Sequence, residues 1–167
     1  MSQTTEQIAI CPGSYDPVTN GHLDIIGRAS RIFDRVVVGV VNKPMRKSAT
    51  LFTAEERQAF IVDAISELDN VDVRIFSDLL VEFARSVGAG SIVKGLRAIS
   101  DFEYENEMAQ LNHRLDPEIE SVYVFARSDF SFLSSTGVKE MAIFNADISE
   151  LVPAPVAAAL ADRLGRK

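Results

Sequence analysis

Along this chain the hydrophobic pattern switches repeatedly between two rhythms. Residues 8–11, 36–41, Val71–Phe76, 91–94 and 121–126 are short runs rich in Ile and Val, the signature of strands. Residues 36–41 are apolar throughout apart from one glycine, as expected for a parallel strand covered on both faces. Between the runs, apolar residues recur at helical spacing; Leu23, Ile26, Ala29 and Phe33 place the first helix over 23–33. Thr53 followed by Glu56 is a capping box opening a helix that runs to about Leu68. Asp78 is placed to cap a helix over 79–87, with Gly88 to end it. Ser100 with Glu103 reads as a second capping box, its helix stopping near Asp116-Pro117. Helices near 137–145 and from about 155 to 164 complete the chain.

Strand and helix thus alternate five times, without repeats or low-complexity segments. The expected fold is α/β: one domain spanning 1–167, built as a doubly wound five-stranded parallel sheet. In such sheets a ligand sits outside the carboxyl ends of the strands, where the strand order reverses. The loops 12–22, 42–53, 95–100 and 127–136 should share that rim.

Composition narrows the function classes. At 167 residues and 47% hydrophobic, the chain can bury a full core. No apolar run approaches the ~20 residues of a membrane span, and the polar start, Met1 to Gln7, lacks a signal peptide's pattern. The lone cysteine, Cys11, suits a reducing compartment, so a cytoplasmic protein is expected, with Cys11 a small packing residue. A net charge of −7 argues against nucleic-acid binding. The cations nevertheless gather in loops: Lys43, Arg46 and Lys47 in one, Lys94 and Arg97 around Gly95 in another. That arrangement suits a small polyanion.

The chemistry concentrates in three blocks. Residues 8–22 read I-A-I-C-P-G-S-Y-D-P-V-T-N-G-H: a strand, a glycine-bearing loop, and a helix start carrying His22. Free N–H groups and the helix dipole at such a junction attract phosphate, and His22 adds a side-chain donor. The second block is Lys94-Gly95-Leu96-Arg97 followed by Asp101-Phe102-Glu103-Tyr104-Glu105. The helix dipole accounts for its acids but not for two cations around a glycine. The third, Ser131 to Thr136, offers hydroxyls that either cap a helix or hold a triphosphate.

Thr19-Asn20-Gly21-His22 resembles the T/H-x-G-H signature of the nucleotidyltransferase superfamily, and the three blocks in this order resemble the phosphopantetheine adenylyltransferases. The resemblance implies a Rossmann-like nucleotidyltransferase fold that transfers adenylyl from ATP to 4′-phosphopantetheine, yielding dephospho-coenzyme A and pyrophosphate. It implies His22 as transition-state stabiliser, with Lys94 and Arg97 also catalytic. Ser14, Tyr15, His22, Gly95, Leu96, Arg97, Glu105 and the run Phe130, Ser131, Phe132, Leu133, Ser134, Ser135, Thr136 would bind ATP. Ser14, Leu80 and Lys94 would bind the acceptor, joined by Arg46 or Lys47. That loop is about two residues longer than the family's, and either cation fits. Thr136-Gly137 stands where the family commonly has a serine and a larger apolar residue, and Ser134-Ser135-Thr136 also resembles nicotinate mononucleotide adenylyltransferases. Mg²⁺ would travel with ATP rather than in a protein cage. Dephospho-coenzyme A or coenzyme A would bind as product or inhibitor, and the assembly would be a homohexamer. A nucleotidyltransferase with another phosphate acceptor, and a nucleotide sensor without turnover, both remain open.

Overall fold

The computed structural model describes residues 6–44 and 49–165. Its five parallel strands are β1 (Ile8–Gly13), β2 (Arg35–Val41), β3 (Val71–Phe76), β4 (Ser91–Leu96) and β5 (Glu120–Phe125), in the order β3-β2-β1-β4-β5. The helices are α1 (Asn20–Ala29), α2 (Ala54–Ala64), α3 (Leu80–Ser86), α4 (Ile99–Leu115), α5 (Ser135–Ile143) and α6 (Ala154–Leu164). A single 3₁₀ turn, Ser128–Phe130, precedes α5. The order steps outward from β1 to β3 and then jumps back across β1 to β4. This is the doubly wound sheet expected, with its reversal between β1 and β4.

Strand alternation sorts the core into two layers. Ala9, Cys11, Val36, Val38 and Val40 point to one face, meeting Ile26 of α1, Ile61 of α2, Val138 of α5 and Leu160 of α6. Ile10 and Val37 point to the other, meeting Val81, Phe83 and Ala84 of α3. Gly39 belongs to this second layer: a Cβ there would lie 2.6 Å from the Phe83 ring. The bare backbone leaves room for Phe76 and Phe83 to stack at 4.3 Å.

Several boundaries differ from the sequence reading, each for a physical reason. β1 runs on to Gly13, and β4 to Leu96, because pairing with β2 and β5 continues past the apolar runs. α1 starts earlier, at Asn20, because Thr19 caps it, and it ends at Ala29. The Thr53–Glu56 capping box forms as expected, but α2 stops at Ala64. Asp78 does not cap α3; the N-cap is Leu79, with no side-chain bond. Gly88 does follow that helix, at φ +72°. Nor does Ser100 open α4, whose N-cap is Ala98. Asp101, one turn in, instead accepts from the Arg97 N–H at 3.1 Å.

Candidate active site

The site originates in a failure of strand pairing. β1 and β2 register over six pairs, as do β4 and β5, but β1 and β4 share only Ala9↔Ser91 and Ile10↔Ile92. Beyond Ile10 the two central strands part, and a cleft of about 410 Å³ opens between their carboxyl ends. Cys11 to Tyr15 line one wall and Val93, Lys94, Gly95 and Arg97 the other. His22, Ile25 and Ile26 of α1 form part of the lining, with Phe130, Leu133 and Ser134 to Thr136 across the mouth.

Where pairing stops, backbone groups need other partners. The Tyr15 hydroxyl donates to the Cys11 carbonyl at 2.8 Å, with Tyr15 held at φ +48°. Burial pushes the Tyr15 phenol well above its ordinary range, so it stays a neutral donor. Burial likewise raises the Cys11 thiol to about 12, against the pull of Lys94, and so Cys11 is a packing residue without nucleophilic character.

His22 is the N3 residue of α1 and closes a capping box in place of the usual acid. The Thr19 N–H donates to its Nδ1 at 3.0 Å, the Thr19 Oγ1 lies 3.0 Å from the same nitrogen, and the His22 N–H reaches Oγ1 at 3.4 Å. Its ring meets Tyr15 edge-on, centroids 5.1 Å apart. Among the cations, Lys94 pairs with Glu105 at 3.1 Å. Arg97 pairs with Asp101 at 3.3 Å and donates to the Leu133 carbonyl at 2.7 Å, tying the last loop to β4.

Beneath the cleft, two buried charges fix the loop of residues 14–17. Arg57, without measurable exposure, donates to five carbonyl oxygens: Ser14, Val41, Asn42, Phe52 and Thr53. Burial pulls its guanidinium below the usual arginine range. Asp16, equally buried, accepts from the N–H groups of Leu51 and Phe52 and from Lys139 of α5. Burial pushes its carboxyl up, but those donors outweigh it and hold it below the usual range. Ser135 adds a bond to the Pro17 carbonyl at 2.8 Å, and Ser134 caps α5 by accepting from the Gly137 N–H.

The cleft therefore gathers Ser14, Tyr15, His22, Lys94, Gly95, Arg97, Glu105, Phe130, Leu133, Ser134, Ser135 and Thr136 from the sequence reading. Leu96 is buried below it; Ser131 and Phe132 lie outside its lining, as does Leu80 on α3. Arg46 and Lys47 lie outside the described residues. Sequence reasoning overlooked Ile25, which faces Gly95, and Asp101 and Tyr104, which turn inward from α4. The D-F-E-Y-E run held the signal for the last two, at helical spacing from Lys94 and Arg97. Arg57 and Asp16 gave no local signal, since their partners lie up to 43 and 123 residues away.

Comparison with known proteins finds relatives over nearly the whole chain. The cytidylyltransferase-like family matches residues 10–141. The phosphopantetheine adenylyltransferase of Alkaliphilus metalliredigens is 49% identical over 157 residues, covering 94% of this chain and 99% of that protein. That of Heliobacterium modesticaldum is 49% identical, covering 95% and 93%, and that of Staphylococcus carnosus 46%, covering 97% and 99%. In fold the chain resembles the bifunctional NMN adenylyltransferase/ADP ribose pyrophosphatase of Francisella tularensis, with a TM-score of 0.68 at 17% identity, covering 95% of this chain and 50% of that one.

Proposed function

Because this chain belongs to the phosphopantetheine adenylyltransferase family, among the cytidylyltransferase-like proteins, we propose that the cleft between β1 and β4 is where it performs that family's reaction. The reaction transfers the adenylyl group of ATP to 4′-phosphopantetheine, giving dephospho-coenzyme A and pyrophosphate, a step of coenzyme A biosynthesis. The observation that carries the placement is His22, locked on the first turn of α1 in a cleft it shares with Lys94 and Arg97.

An oxygen of the acceptor phosphate attacks the α-phosphorus in line; the new P–O bond forms as the bond to the β-phosphate oxygen breaks and pyrophosphate departs. The acceptor oxygen is already ionised at neutral pH, so no strong general base is required. What remains for the protein is positioning and neutralisation of charge. In this reading His22 donates to the α-phosphate as it becomes more crowded. Lys94 exchanges Glu105 for the acceptor phosphate, and Arg97 exchanges Asp101 for the departing phosphates. Ser14 and the N–H groups at the start of α5 complete the cradle. Mg²⁺ would come with ATP, held by its phosphates, and would neutralise charge on them.

Dephospho-coenzyme A and coenzyme A share the substrates' pantetheine and adenylate parts, and so would occupy the same cleft. A homohexamer in the cytoplasm completes the reading; the exposed Ile99, Phe125 and Phe144 offer apolar surface for contacts between copies. A concentration-independent monomer in sedimentation would overturn the assembly alone. Among the described residues no helix is long and apolar enough to cross a membrane. Pyrophosphate release from ATP that requires 4′-phosphopantetheine tests the reaction. Release with nicotinate mononucleotide instead, or ATP binding without turnover, would overturn the acceptor or the activity.

A further inference from the structure

We propose that Thr19 holds His22 as the neutral tautomer protonated at Nε2, and that this neutral imidazole, not an imidazolium, meets the α-phosphate. The inference rests on the adenylyl-transfer reading for its catalytic half only. A backbone N–H can only donate, and the Thr19 N–H lies 3.0 Å from His22 Nδ1. That nitrogen must therefore present a lone pair, which leaves the ring proton on Nε2. The Thr19 oxygen accepts from the His22 N–H, and its hydroxyl, 3.0 Å from Nδ1, is placed to share that one lone pair. Protonating Nδ1 would set two N–H donors against each other and break the capping box that begins α1. Thr19 is almost fully buried, so water does not easily relieve that conflict.

The charges around the ring do not favour an imidazolium either. Lys94 on β4 and Arg97 after it add positive charge to the cleft, and the facing acids Glu105 and Asp101 of α4 are committed to those two cations. Tyr15, edge-on to the ring, is a neutral phenol, and Asp24 on α1 is paired with Arg28 and Arg127. Asp16 is paired with Lys139 of α5. A neutral donor also keeps its proton through the reaction, so the site needs no reprotonation step between turnovers. Thr19 thus acts as a positioning residue, through the ring of His22.

Nitrogen-15 NMR of histidine-labelled protein reads the tautomer directly, since His22 and His113 are the only histidines and His113 is exposed. The expected spectrum shows an unprotonated Nδ1 and a protonated Nε2 on His22 from about pH 6.5 to 9. Turnover at saturating substrates should stay within about threefold across that interval. Averaged tautomers, or turnover falling about tenfold per pH unit as His22 loses a proton, would overturn the proposal. Thr19→Val should lower turnover about tenfold with the ATP KM within roughly twofold, and Thr19→Ser should restore it. A Thr19→Val enzyme with a lower Tm but undiminished turnover per folded molecule would remove the Thr19 hydroxyl from that role and leave the tautomer to the Thr19 N–H, which valine retains. Failure of the unmodified enzyme to release pyrophosphate with its acceptor would instead defeat the adenylyl-transfer reading, while the spectrum still decides the tautomer.

Discussion

Lys94 and Glu105, both lining the cleft, pair at 3.1 Å, so the charge of Lys94 is already answered from α4. An incoming phosphate must outcompete a carboxylate for Lys94, and this favours a dianionic ligand over a singly charged one. Lys94→Ala should weaken use of 4′-phosphopantetheine by roughly 1.5–3 kcal/mol, the contribution of a charge-assisted bond. ATP binding should change much less. Comparing the two Michaelis constants checks this, and equal losses would remove Lys94 from the acceptor side.

His22→Ala should fold normally and bind ATP. Pyrophosphate release should fall by about 10²–10³, or ~2.7–4 kcal/mol, the typical effect of deleting one preorganised donor to a transition state. Single-turnover kinetics and ATP titration on the same preparation separate this from a stability effect. Lowered Tm with near-normal turnover would make His22 a capping residue only.

Arg57→Met should be severe for stability. It leaves the carbonyls of Ser14, Val41, Asn42, Phe52 and Thr53 without their shared donor, and each buried unsatisfied group costs about 1–3 kcal/mol where water cannot replace it. A loss of at least about 3 kcal/mol in urea unfolding is expected. A loss below about 1 kcal/mol would mean that water reaches these groups.

Asp16 gives the fold an acid-sensitive element. Its carboxyl titrates below the usual range in the folded protein, so its contribution to stability is present above the unfolded carboxylate's titration near ~3.9 and fades as pH falls through the lower folded value. Asp16→Asn should therefore be clearly less stable than the parent at pH 7, and the gap should narrow below about pH 4. Unfolding free energies measured from pH 3 to 7 test the sign; a gap that widens in acid would contradict it.

What could be read from sequence was whatever local spacing records. The Thr53–Glu56 box forms as written, because both partners lie within one helical turn. The same reasoning failed at Asp78 and Ser100: the N-caps are Leu79 and Ala98, and neither makes a side-chain capping bond. The order of the blocks led to the cleft and to His22, Lys94 and Arg97. It did not lead to the support beneath them. Arg57 meets Ser14 across 43 positions and Lys139 meets Asp16 across 123, and no pattern along the chain announces either. The width of the cleft was equally illegible, because it depends on how many residues β1 and β4 share.

That short register has a consequence for how such a protein diversifies. A cavity carved from a packed interior ties every change of shape to lost contacts. Here the opening exists because two neighbouring strands diverge, while each keeps six registered pairs with its outer partner. Rim residues can thus be exchanged, lengthened or recharged without unlacing the ladder beneath. Acceptor preference and scaffold integrity are separate traits, free to drift at different speeds.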